Sequence, residues 1–160
     1  MDQEIEERLL SLKLKKKEQW YCDFCGEIIE SDRDGMLEWD SFLERDDTAL
    51  NAENFRIVHN RAVKQCQPRN NDANLSDGHL HWYTGPGGLS ELLTIKHRYN
   101  LDLVKFDEII RRLHVDYYEE ARQYFHKSRE NGDEFDLYEI GDYSQDALKT
   151  IIKKYGEKKW

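Results

Sequence analysis

Apolar residues recur with two different periods along this chain, and the change of period marks its organisation. Between residues 3 and 17, Ile5, Leu9 and Leu12 recur at i, i+4 and i+7, and Leu10 and Leu14 widen the stripe. This predicts an amphipathic helix. Its charges agree, because Glu4, Glu6 and Glu7 stand in the first turn and Lys13, Lys15, Lys16 and Lys17 in the last, the order a helix dipole favours. From residue 18 the period shortens. The run 35–40 alternates, with Met36, Glu38 and Asp40 on one side and Leu37 and Trp39 on the other, and 55–59 is a second run with aromatic and β-branched residues. Both predict strands, and the polar stretch 44–53 between them predicts a loop or a short helical turn.

Beyond Thr84-Gly85-Pro86-Gly87-Gly88, read as a turn, the helical period returns. A short helix is predicted over 89–99. A second follows a cap at Asp102 and buries Phe106, Ile109, Ile110 and Leu113. A third is predicted over 117–129, with Asp116 and Glu119 at capping-box spacing and Gly132 beyond its end. Residues 134–140 alternate and predict an edge strand. Ser144 then caps a last helix whose stripe is Ala147, Leu148, Ile151, Ile152 and Tyr155, with Gly156 as its stop.

Composition narrows the class. With 160 residues and 38% apolar positions, the chain suits one domain or one compact body with a small appended module. No apolar run is long enough to span a membrane, and the acidic start predicts a cytoplasmic protein. The net charge of −9 is unevenly distributed: residues 18–85 carry −8, against +1 for 1–17 and −2 for 86–160. Such a surface repels a nucleic-acid backbone, whose binders neutralise phosphates with Lys and Arg, and predicts a protein partner of basic character.

Three cysteines are an odd number, which suits a mixed Cys/His metal site better than a disulfide framework. Cys22 and Cys25 lie in Trp20-Tyr21-Cys22-Asp23-Phe24-Cys25-Gly26-Glu27, where two intervening residues let both sulfurs point inward from one turn. Gly26 frees the backbone there to take a positive φ. His59 and Cys66 complete a four-ligand set for structural Zn²⁺, with His79 and His81 as competing fourth ligands. The expected fold class is therefore α+β, a small zinc-stapled antiparallel sheet packed with C-terminal helices. The expected divisions are an N-terminal helix over 1–17, a zinc-binding β module over 18–85 and a helical region over 86–160.

The stretch 20–27 resembles the first knuckle of zinc-ribbon modules, over residues 20–66 only, and the whole chain resembles small bacterial proteins. The resemblance implies a metal-stabilised scaffold. Ribbons usually carry a second Cys-x-x-Cys, where this chain has the wider pair His59 and Cys66. The function expected is a non-catalytic interaction module, a regulator or inhibitor, whose acidic surface includes Glu38, Asp40, Glu44, Asp46 and Asp47. A homo-oligomer through the N-terminal helix is a further expectation. Two alternatives stand beside it. The helices 103–113 and 117–129 resemble a helix-turn-helix with Arg111, Arg112 and Arg122 for nucleic acid. The order His59, Asn71 or Asn74, then His79 or His81 resembles that of HNH nucleases, in which His59 would be a base.

Overall fold

Strands give way to helices near residue 85, as the change of period predicts. The computed structural model describes residues 14–43, 50–67, 74–133 and 143–156. The fold is α+β. Strand β1 (Trp20–Tyr21) pairs antiparallel with β2 (Ile28–Ile29), setting Trp20 opposite Ile29. In a second sheet, β3 (Gly35–Leu43) is central between β4 (Leu50–His59) and β5 (Asn74–His79), and both pairings are antiparallel. The register of β3 against β4 shifts between Glu38 and Asp40. Asn54 absorbs the shift with a φ of 57°, and its side-chain amide donates to Asp40 at 3.0 Å.

Helices α1 (Gly85–Arg98) and α2 (Leu103–His114) follow. The Thr84–Gly88 stretch, expected as a turn, is the first turn of α1, because Pro86 near the helix start needs no intrahelical partner for its missing N–H. Asp102 caps α2 by accepting from the N–H groups of Val104 at 3.0 Å and Lys105 at 3.2 Å. Three further helices are α3 (Tyr118–Ala121), α4 (Phe125–Glu130) and α5 (Gln145–Tyr155), the last capped by Ser144, whose hydroxyl accepts from Ala147 at 3.2 Å.

Residues Lys17–His114 form one compact unit; the described residues from Val115 onward form the other with those before Lys17. In the first, Trp20, Ile29, Leu37, Ile57, Leu80, Leu92, Phe106 and Leu113 share one core. In the second, Tyr118, Ala121, Leu148, Ile151 and Ile152 do. A division at residue 85 does not coincide with this grouping. The sheets cannot cover their own apolar face, and Leu92, Phe106 and Leu113 of α1 and α2 bury it.

Other expectations differ in detail. Of the predicted helix 3–17, residues 3–13 lie outside the described residues, and 14–17 form a bend and a turn with Lys17 at a φ of 57°. Residues 50–53, predicted as loop, extend β4, because Ala52 donates to the Asn100 carbonyl and Asn100 to that of Leu50. The predicted helix 117–129 is broken by a 3-10 turn at Arg122–Tyr124. Tyr117 takes a φ of 66°, and Glu119 pairs forward with Arg122 at 2.8 Å instead of closing a capping box. The predicted strand 134–140 lies outside the described residues. Among the described residues no helix is long and apolar enough to cross a membrane.

Candidate metal centre

The Cys22–Cys25 knuckle is the turn between β1 and β2. Its backbone closes on itself, with the Gly26 N–H donating to the Cys22 carbonyl at 3.0 Å and the Cys22 N–H to that of Glu27 at 2.9 Å. Gly26 has a φ of +77°, the left-handed value that glycine adopts without a Cβ penalty. Asp23, between the two cysteines, fixes the knuckle to β4. Its N–H donates to the Ile57 carbonyl at 2.8 Å, and its carboxylate accepts from the Ile57 N–H at 2.8 Å.

That carboxylate also accepts from Arg112 of α2 at 2.7 Å, while Arg112 donates to the Tyr21 carbonyl at 3.1 Å. Trp20 returns the contact through its indole N–H, which donates to the Arg112 carbonyl at 3.0 Å. Arg112 is only 4% exposed, so removing the Asp23 carboxylate from it would cost about 3 kcal/mol, whereas Asp23 stays partly open to water. Thus the first and second strands, β4 and α2 hold one loop.

His59 arrives at the end of β4, two residues beyond the Ile57 anchor, and its neighbour Asn60 shapes the return of the chain. The Asn60 side-chain oxygen accepts from the Ala62 N–H at 2.9 Å, and its carbonyl accepts from Val63 and Lys64 at 2.9 and 3.0 Å. This turn delivers Cys66, and Gln67 secures it by donating to the His59 carbonyl at 2.9 Å. One ligand atom from each of Cys22, Cys25, His59 and Cys66 lies within 4.8 Å of all the others. The sequence-predicted set is therefore brought together, and it could hold a metal ion.

Hydrogen bonding fixes which histidine nitrogen faces the sulfurs. Nε2 is 3.2 Å from the Ile28 carbonyl, which can only accept, so Nε2 carries the hydrogen and Nδ1 presents its lone pair. Nδ1 stands 3.5 Å from the Cys25 sulfur and 3.6 Å from that of Cys66. One lone pair cannot satisfy two thiols, whereas a cation between them would satisfy every group. Burial pushes the Cys66 thiol up to about 12, with Cys22 and Cys25 adding to the shift. At Cys25 burial acts the same way but is outweighed by the Glu27 backbone, the other two cysteines and Lys64, so this thiol falls below its ordinary value. Lys64 is itself anchored, 2.7 Å from Glu27.

The competing ligands lie elsewhere. β5 ends at His79, and Leu80–Trp82 is a 3-10 turn, so His79 and His81 do not continue one strand face; their rings stack at 5.5 Å, outside the thiol cluster. The acidic patch is corrected. Glu38 is 1% exposed and Asp40 is buried as well, with Arg56 of β4 placed 3.5 Å from one and 3.3 Å from the other. Burial raises the Glu38 pKa, and Arg56 opposes the shift. Glu44, Asp46 and Asp47 lie outside the described residues. Asp23 and Arg112 were missed as supports of the site. Their pairing spans 89 positions, and no local spacing announces it.

Of the arginines expected to meet nucleic acid, Arg112 is buried against the knuckle and Arg122 pairs with Glu119. α2 and α3 also fall in different units. Compared with protein families, curated proteins and solved structures, the chain matches none of them.

Proposed function

We propose that the chain is a non-catalytic, zinc-stabilised protein-interaction module, with Cys22, Cys25, His59 and Cys66 holding one structural Zn²⁺ and a basic protein as its partner. The observation that carries the zinc assignment is the pair of distances from His59 Nδ1. A tetrahedral ion with Zn–S near 2.3 Å and Zn–N near 2.05 Å sets its nitrogen and sulfur ligands about 3.6 Å apart. The two measured separations are 3.5 and 3.6 Å. Three soft sulfurs and one imidazole nitrogen are a donor set that suits zinc.

Four protein ligands leave no open position for water or substrate, which makes the ion's role structural. Against the HNH alternative speaks the setting of His59, whose Nε2 lies at the Ile28 carbonyl and whose Nδ1 lies at the sulfurs. The net −8 of residues 18–85 supports a basic partner, which the module would regulate by occupying it.

Elemental analysis of the purified chain tests the reading. The native protein should carry one zinc per chain, retained in His79→Ala and lost in Cys22→Ser and Cys66→Ser. A normal zinc content in Cys66→Ser would overturn the assignment.

A further inference from the structure

An open cleft of about 510 Å³ lies on the 17–114 unit, walled by His81, Trp82, Thr84, Gly87, Gly88 and Glu91. It is built where the 3-10 turn Leu80–Trp82 runs into the first turn of α1. Trp82 stays 51% exposed there, although a large aromatic ring is among the groups that folding most readily buries. It meets the ring of His79 edge to face at 4.8 Å and that of His81 at 6.1 Å. Glu91 is the formally charged side chain among those walls. Behind them, the Thr84 hydroxyl donates to the Asp32 carboxylate at 2.8 Å, which sets a second negative charge next to the cleft.

We propose that this cleft receives the guanidinium of an arginine on a partner protein, stacked on Trp82 and paired with Glu91. The inference rests on the reading of the chain as an interaction module and names the group it recognises. An exposed indole in a cleft that a carboxylate also lines attracts a cation. Guanidinium fits better than ammonium, because it is planar, weakly hydrated and presents its donors in a fixed fork. The backbone at Gly87 and Gly88 also reaches the cleft, and a helix start by itself favours an anion. Glu91 stands against an anion on the same wall, and so does the acidity of residues 18–85.

The test is a nuclear magnetic resonance titration of the full chain, as purified without chelator, with N-acetyl-arginine amide. N-acetyl-citrulline amide serves as the uncharged isostere, and inorganic phosphate as the anion. The arginine probe should shift the Trp82 indole and the Gly87 and Gly88 amides saturably, with about fivefold or greater preference over citrulline. Trp82→Ala should abolish the shifts, and Glu91→Gln should weaken binding by about threefold. Should Trp82→Ala fold poorly, Glu91→Gln decides alone. Equal binding of citrulline, saturation by phosphate instead, or no saturable shift with arginine would each overturn the proposal. Zinc content is read on the same samples. Full zinc without arginine binding sinks this inference alone, while absent zinc sinks the metal assignment and leaves the cleft to be judged on its own titration.

Discussion

His114 shows how a single ring can make folding depend on pH. Its Nε2–H donates to the Tyr83 carbonyl at 2.7 Å from a part-buried position in the 17–114 unit. Burial lowers its pKa; the Tyr83 carbonyl pulls the other way, and Lys17 adds to the lowering. The unfolded chain therefore takes up this proton first, near its ordinary value of about 6.5. Stability from this residue is complete above that pH and is lost as pH falls toward the folded value. His114→Gln keeps a donor toward Tyr83 but cannot titrate. Chemical denaturation at constant zinc should show the native chain losing stability more steeply than the variant between pH ~7 and ~5. Parallel curves would exclude His114 from the pH dependence. At this scale the ligands were legible, since the Cys22–Cys25 spacing and the odd cysteine count are properties of the chain itself. The fate of Glu38 and Asp40 was not, because Arg56 becomes their partner only when β3 and β4 pair.

The junction between the 3-10 turn and α1 is held by a close approach that two adjacent glycines separate cleanly. A Cβ on Gly88 would stand 2.1 Å from the Tyr83 carbonyl carbon, whereas one on Gly87 would meet nothing within 4 Å. Gly88→Ala should accordingly lose about 2 kcal/mol, with the backbone forced to shift. Gly87→Ala should gain about 0.5 kcal/mol from the less flexible unfolded chain. Thermal unfolding of the two variants measures the difference, and equal effects would show that the approach to Tyr83 does not govern the junction. Elements with local signals were legible: Asp102 and Ser144 cap the helices they were expected to cap. β1 and β2 are two residues each, too short to display a period. The break between α3 and α4 escaped notice because Glu119 is buried and spent on Arg122, a tertiary outcome that the apolar stripe does not encode.

The described residues group into two cores, one in each unit, and the thiol cluster belongs to that of residues 17–114. If the thiol cluster holds the proposed zinc, removing it should therefore act unevenly. After chelation, hydrogen exchange should accelerate at the amides of β1, β2 and the His59 end of β4, while those of Leu148, Ile151 and Ile152 in α5 keep their protection. Uniform loss across both groups would show that the ion supports the entire chain. The α+β class was legible from the two apolar periods, but the grouping of α1 and α2 with the sheets was not, because which apolar faces meet is decided by packing at long range. One consequence reaches beyond stability. Among the described residues β4 is an outer strand of its sheet, as β5 is on the other side, and outer strands invite pairing with another chain. At Ile57 both outward backbone groups are already taken by Asp23, and further along, Asn100 accepts from the Ala52 N–H and donates to the Leu50 carbonyl. The knuckle thus also guards a sheet edge: a foreign strand that approached β4 at Ile57 would find the outward backbone groups there already spent on Asp23.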